Sequence, residues 1–560
     1  METNNTNNTY ARETQETREP REAPEWRAQP GPESRIAGAT AERPPFQQEF
    51  WHKPENAFKP ETTDLVFAIA AFVLGYLFSR WLLFTWSGWG VTMFTTTYLV
   101  IITAYMIKKG VFQKKRAAFF WLAVTWLTGV SFALWGNAGF NGIRALFLFC
   151  AAVYYVIIAS GREIMGKTGN FLLLDGINSV VIVPFRNLFN QYVSFSVLGK
   201  GGRRGKALPA ILGVALALIL AAIIIPMLEQ ADSGGFGAIM DFLRSIIRID
   251  AEIIIYIAFA IPVAAYLYGL VSGAAHGKGT DIIKRESAEK TVSALRIFQP
   301  ATVYTVLGVV CAIYLVFILS QIPYFFSAFT GARPAGWLIY SEYARRGFFE
   351  LCGIATINMV VLTIGNVTSK KLRKSSVMLK AFNISLAAIT LALIATAFSK
   401  MALYIGAYGL TMPRLLPCVF MLFLTVVFVA LIVLQKKDFS IVRFALVLGS
   451  VMLCAMCLSN PDALVVRYNT DRYLRGTLPG YDVKILHRAG SAGVLPALEV
   501  LDATNDKALK HDLAFYLRLQ NGASEIWGDG EGHMADLESY LAQERLKEAR
   551  SLFEGALADQ

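Results

Sequence analysis

Apolar residues in this chain are gathered into long runs rather than spread on one face of shorter elements. From residue 64 to residue 458, about eleven segments of roughly 17–25 residues are apolar enough to cross a bilayer as single helices. They lie near 64–84, 91–107, 116–134, 143–160, 207–228, 251–272, 301–325, 347–366, 378–400, 414–435 and 440–458. Residues 171–198, "FLLLDGINSVVIVPFRNLFNQYVSFSVL", are also apolar but are interrupted by Asp175, Asn178, Pro184, Arg186, Asn187 and Asn190. That pattern predicts an amphipathic segment on the inner face, not a twelfth span. Residues 273–300 read as a charged cytoplasmic loop, and no internal repeat stands out. The tail, 459–560, changes to helical amphipathic patterns such as "LESYLAQERLKEARSLF" and predicts a small helical appendage. Residues 1–60 have almost no apolar periodicity and read as a disordered cytoplasmic tail. With no apolar run before residue 65, the first span must act as the signal. The expected fold is an all-α polytopic membrane bundle.

Composition agrees: 55% of residues are hydrophobic and only 17% charged, where a soluble protein carries about a quarter. The net charge of +12 is uneven. Residues 1–63 carry 8 Lys and Arg against 11 Asp and Glu, and residues 459–560 carry 11 against 16, leaving the membrane region at +20. That charge sits in alternate short loops: KKGVFQKKR at 108–116, the Arg and Lys residues between 162 and 206, Lys284 and Arg285, Lys370 to Lys374, and Lys436 with Lys437. Retention of basic loops on the cytoplasmic side accounts for the pattern. It places the N-terminus in the cytoplasm and the tail outside, and the basicity is topological, with no nucleic-acid partner implied. The expected location is the cytoplasmic membrane.

Little enzyme chemistry is readable. HExxH, GxSxG and the phosphate-loop pattern GxxxxGK[ST] do not occur. All six cysteines lie in apolar runs, and the CxxC pair Cys454 and Cys457 has no histidine beside it, so small buried hydrophobes explain them better than redox or metal chemistry. His52, His276, His487, His511 and His533 are scattered outside the spans and read as solvated surface. "HGKGTD" at 276–281 follows a helix rather than a strand and reads as a flexible exit from the membrane. Tryptophans at 81, 86, 89, 121, 126 and 135 suit interfacial anchoring. No cofactor, metal set or catalytic residue is assigned.

Polar chemistry concentrates at the outer ends of several spans. In "SEYARRGFFELCGIATIN" the residues Tyr343, Arg346, Glu350, Ile354 and Asn358 share a helical stripe, with Arg346 one turn from Glu350. Charges at that depth cost several kcal/mol and are cheapest turned toward protein and paired. Arg80, Arg144, "YIGAYGLTMPR" with Tyr404, Tyr408 and Arg414, and "NPDALVVRYN" with Asn460, Asp462 and Arg467 reach the same level. The candidate ligand-binding cluster is therefore Tyr343, Arg346, Glu350, Asn358, Tyr408, Arg414, Asn460, Asp462 and Arg467. A cationic pocket for an anionic lipid headgroup or small anion is one reading. An ion-pair clasp that locks helix ends and the tail together is the plainer one.

The motifs YARRGFFEL (343–351), YGLTMPR (408–414) and NPDALVVRYN (460–469), in this order and spacing, resemble a bacterial multi-pass membrane family known as domain of unknown function 4173, with a sibling group numbered 4153. The resemblance spans roughly 64–505. It implies membrane class and boundaries but no activity. The reading favoured is a non-catalytic membrane sensor or assembly partner, with the bilayer and other membrane proteins as its contacts. A transporter or lipid- or anion-handling protein is the alternative, and a membrane-embedded transferase using Glu350 as base is the third. Pro226, Pro262, Pro323 and Pro417 are candidate helix breaks for a transport site.

Overall fold

A computed structural model describes residues 58–558 apart from 84–87, 137–138, 165–168, 170, most of 200–250, 281–284, 331–339, 371–372 and 529–535. Side chains at 321–330, 340–347 and 523–528 also lie outside the described ones. The disordered tail predicted over 1–60 and the span predicted over 207–228 therefore fall almost wholly outside these residues.

Every described element is a helix; the one β feature among the described residues is an isolated bridge between Phe298 and Ser369. The helices are α1 (Thr62–Trp81), α2 (Gly88–Lys108), α3 (Arg116–Leu134), α4 (Asn141–Ser160), the bent pair α5 (Leu172–Arg186) and α6 (Asn190–Val197), α7 (Ala251–His276), α8 (Arg285–Ala294), α9 (Pro300–Thr330), α10 (Tyr340–Thr368), α11 (Val377–Tyr408), α12 (Met412–Leu434) and α13 (Ile441–Leu458). The tail adds α14 (Pro461–Leu474), α15 (Val483–Ala489), α16 (Val494–Ala503), α17 (Lys507–Gly528), α18 (Leu537–Glu548) and α19 (Arg550–Ala558). Ten of these, α1–α4, α7 and α9–α13, are long and apolar enough to cross a membrane. They match ten of the eleven predicted runs, and the chain is a multi-pass membrane protein.

Three apolar cores organise the described residues. The first joins α1–α4 and α7 around residues such as Phe67, Tyr105, Tyr155 and Tyr268. Gly75 lets α1 and α7 approach closely: a Cβ there would collide with the Ala260 carbonyl and lie 3.1 Å from the Ala264 methyl. Small residues at crossings let spans exchange lipid contact for van der Waals packing. The second core joins α9–α12, and α13 packs between α12 and α3. The tail has its own core of Leu486, Val500, Leu513, Tyr516 and Phe553.

Helix ends sort to two sides as the loop charges predict. On one side, the buried Asp64 carboxylate at the start of α1 ties three spans together. It accepts from the Tyr105 hydroxyl at 2.7 Å, the Lys109 ammonium at 2.9 Å and the Glu61 amide at 2.8 Å, and its Oδ1 is 3.0 Å from His276 Nε2. His276, read from sequence as solvated, instead closes this cluster from the end of α7. On the other side lie the junctions of α3 with α4, α11 with α12, and α13 with the tail.

The segment predicted to lie on a membrane face is a broken helix. A π-turn, Asn178–Ile182, interrupts α5, and α6 departs at 51°. Asp175 near its start accepts from the Ile164 amide at 2.9 Å, just beyond α4. Asn187, at the bend between α5 and α6, donates to the Lys278 carbonyl at 2.8 Å, just beyond α7. Both anchors belong to residues that leave spans on the Asp64 side, but between them α5 dips into the bundle instead of lying flat on a face. The Val180 carbonyl accepts from Tyr266, well inside α7, at 3.0 Å, and beyond the bend Gln191 of α6 donates to the Ala68 carbonyl of α1 at 3.0 Å.

Candidate functional site

The tail meets the bundle around Arg144, on the Gly136 and Gly139 amides, and the local sequence explains why. Helix α3 ends at Leu134, where the Trp135 amide still reaches the Ser131 carbonyl at 3.1 Å and the carbonyls beyond have no helical donors. Arg144, fully buried on the first turn of α4, turns back and donates to the Ser131 carbonyl at 3.0 Å, to Trp135 at 3.1 Å and to Gly136 at 3.3 Å. A fourth bond goes to the Asn141 side-chain oxygen, and the guanidinium lies 3.8 Å from the Phe132 ring centre. A cation at a helix C-terminus also meets the negative end of the helix dipole.

Three tail carboxylates gather around this one cation. Asp462 (3% exposed) accepts from the Gly139 amide at 3.2 Å. Glu538 accepts from the Gly136 amide at 3.3 Å and from the Asn460 side-chain amide. Asp536 (6% exposed) caps α18 by accepting from the Ser539 amide at 2.9 Å. All three act electrostatically on Arg144. Burial raises the Asp462 pKa, opposed by the Gly139 bond and Arg144. Burial pushes Glu538 up to about 7, with Asp536 and Asp462 adding to the shift while the Asn460 and Gly136 bonds oppose it. With all three ionised, the joint holds two more negative charges than positive.

Asn460 sets the direction in which the chain leaves the membrane. Its backbone is left-handed (φ 48°), the one non-glycine residue with positive φ among those described, and its Oδ1 caps α14 by accepting from the Ala463 amide at 3.1 Å. Asparagine tolerates this conformation better than branched or bulky residues do. Pro461 then occupies the first helical position, where its missing N–H costs nothing.

A second joint fastens the α11–α12 corner. Asn469 brackets Leu410, accepting from its amide and donating to its carbonyl, both at 2.7 Å. Gly409 (φ 77°) leaves room for that side chain. Arg414 donates to the Tyr408 carbonyl at 2.9 Å and to the Gly409 carbonyl, with its guanidinium 4.1 Å from the Tyr404 ring centre. Arg472 donates to the Gly406 carbonyl at 2.8 Å and to Ile405 at 3.1 Å.

The seven sequence candidates whose side chains are described are distributed, not gathered in one pocket. Asn460 and Asp462 sit in the Arg144 joint, while Tyr408 and Arg414 form the corner. Arg467 lies over a groove and is neutralised by Glu499 at 2.6 Å and Asp471 at 3.3 Å. Asn358 is buried lower in the bundle and donates to Thr390 at 2.9 Å. Glu350 is exposed and interacts electrostatically with Lys400 of α11, a residue the sequence stripe does not include. The side chains of Tyr343 and Arg346 lie outside the described residues. The expected cationic bias is largely consumed: Arg414 is spent on carbonyls and Arg467 on carboxylates.

Sequence reasoning did not find Glu538 and Asp536, and it placed Arg144 at the level of the polar layer but left it out of the candidate cluster. Only the cap pattern Asp536–Ser539 was available as a signal, and it marks a helix start without showing what the helix buries.

Beside the joint, a groove of about 950 Å³ runs between α14, α16 and α18, floored by Trp135 and Ser459 and rimmed by Arg467, Tyr468 and Arg545. Trp135 also donates to the Leu458 carbonyl at 3.0 Å, so the groove abuts the ends of two spans. Between the spans, a cavity of about 690 Å³ is walled by α1, α2, α4, α5 and α7. Its tyrosine hydroxyls turn to backbone, Tyr98 to the Ala152 carbonyl at 3.1 Å and Tyr266 to Val180 at 3.0 Å, leaving hydrocarbon walls.

No curated protein and no solved structure is detectably similar to this chain. A family model described as "Domain of unknown function (DUF4153)" matches residues 122–501, more than half of the chain. This is the sibling group of the one the motifs resemble, and the match runs from α3 through the Arg144 joint to α16. The chain belongs to the DUF4153 family.

Proposed function

We propose that this protein is a non-catalytic membrane sensor or assembly partner of the cytoplasmic membrane, whose extracytoplasmic helical tail reports to the spans through the Arg144 joint. The observation that carries this reading is that one buried arginine holds the end of α3 and faces three tail carboxylates. A change in tail position is thereby felt at the ends of α3, α4 and α13. The groove shares Asn460, Glu538 and Trp135 with that joint, so anything seated there bears on the same contacts. Because Arg414 and Arg467 are already engaged, an anionic ligand has less support than contact with a protein or peptide surface.

The test attaches a bulky maleimide at Leu541→Cys, on the groove wall, in a Cys150→Ser background, using full-length protein in lipid nanodiscs. Hydrogen exchange then reads the 131–148 region. The proposal expects faster exchange there on labelling. Unchanged exchange with a fully labelled groove would show that groove and spans are uncoupled.

A lipid-handling role is the second reading, favoured by the hydrocarbon-walled cavity, whose size is in the range that binds small ligands. Native mass spectrometry would show retained lipid that is lost on Val181→Trp if this reading holds, and no retained lipid if it does not.

A further inference from the structure

The side of the bundle opposite the tail holds a second set of buried acceptors that none of the functions above uses. Glu163 follows α4 and is 6% exposed; Asp175 in α5 is 2% exposed; Asn178, one turn later, is 1% exposed. Glu163 Oε2, Asp175 Oδ2 and Asn178 Oδ1 have no hydrogen-bond partner among the described residues. Buried polar atoms are almost always satisfied, and each exception calls for an explanation.

Helix spacing and one hydrogen bond place these three residues on the same side of α5, at the end of α4. The Ile164 amide donates to Asp175 Oδ1, so the Asp175 face of α5 looks at the end of α4, and Glu163 acts electrostatically on Asp175. Residues three apart share a helix face, which turns Asn178 the same way. Asn178 also opens the π-turn, where its carbonyl accepts from the Val183 amide five residues on instead of four. Such turns occur often at functional sites. Irregular backbone at membrane depth is tolerated where it lines a polar cavity, and transporters use broken helices to coordinate ions.

All three orphan atoms are oxygen acceptors, so what completes them must be a donor or a cation. Among the described charged groups facing them, Lys115 acts on Glu163, so two carboxylates stand against one ammonium among the described residues. We infer that Glu163, Asp175 and Asn178 form a binding site for one monovalent alkali cation, Na⁺ or K⁺, that fastens the broken segment α5 to the end of α4. Hard oxygen ligands suit such ions, and a single excess negative charge matches a single positive one.

The test uses full-length protein in nanodiscs at pH 8 and constant ionic strength, with N-methylglucamine as the reference cation. Thermal stability is followed against added Na⁺, K⁺, Mg²⁺ or Ca²⁺. The expected result is saturable stabilisation by Na⁺ or K⁺, weakened at least about tenfold in apparent affinity by Asp175→Asn. Because Asp175→Asn can also loosen the segment, Asn178→Asp is the paired variant. Its added ligand charge should tighten binding several-fold, since ligand charge count tunes affinity. Stabilisation only by divalent ions overturns the monovalent assignment. No ion-specific stabilisation, or identical titrations for wild type and both variants, overturns the site and leaves water as the partner of these oxygens.

Discussion

Glu538→Gln is the sharpest perturbation of the tail joint. In wild type, burial beside Asp536 and Asp462 pushes the Glu538 carboxyl from 4.5 to about 7. An undocked tail returns this group to water and to its ordinary value. The docked state therefore binds the proton more tightly, and docking is strongest below about pH 4.5. That stability is lost as pH rises through about 7, where the third carboxylate must ionise next to two others. At about 1.4 kcal/mol per pH unit, the loss is at most about 3.5 kcal/mol, or roughly 300-fold in the docking equilibrium. The substituted amide can still accept from the Asn460 side chain through its oxygen, but its NH₂ cannot accept from the Gly136 amide now bonded to Glu538 at 3.3 Å. The variant thus forfeits about 1 kcal/mol at low pH and gains relief from repulsion at high pH. Hydrogen exchange of peptides from α14 and α18, corrected for intrinsic rates, should accelerate in wild type between about pH 5 and pH 8 and stay nearly level in Glu538→Gln. A wild-type profile that does not vary with pH, or a variant with the same slope, refutes the charge count at Arg144.

Other contacts give further expectations. Asn460→Ala removes the α14 cap and a Glu538 partner, and it places a residue averse to the left-handed region at φ 48°; the tail should lose about 1–3 kcal/mol in thermal melting, with Asn460→Gly milder. Gly409→Val meets Asn469 while holding φ 77°, so it should loosen the α11–α12 corner by a few kcal/mol in a thiol-reactive melting assay. Asp64→Asn leaves Lys109 without its buried carboxylate partner and should destabilise the first core by about 3 kcal/mol or more. If Asp64→Asn melts like wild type, the three-span cluster is not structural.

The membrane layout was legible in the sequence because its cause is local. A span is apolar on all sides, and each basic loop marks a side without reference to distant residues. The break in α5 was readable for the same reason, from Asp175, Pro184 and Asn187 within one apolar stretch. Partners were not readable. Asp64 meets Tyr105 and Lys109 at the end of α2 and His276 at the end of α7, the last 212 positions away, and nothing around His276 distinguishes it from a solvated histidine. Within the Arg144 joint, Asn460 and Asp462 stood out in the sequence because polar and charged groups near a membrane end are costly. Glu538 did not, because a glutamate on a polar amphipathic helix looks solvated until the tail folds back onto Gly136.

The central claim is that Arg144 couples the tail to the span ends, and a double-mutant cycle tests it directly. Arg144→Gln, Asp462→Asn and the double variant would be compared by hydrogen exchange in nanodiscs, reading 131–144 on the bundle and 460–469 on the tail. Residues in one charged network are non-additive. Each single variant is predicted to release both regions together, and the double variant to be no worse than the worse single. Release of only the mutated side in each single variant, with costs that simply add in the double, would contradict the account.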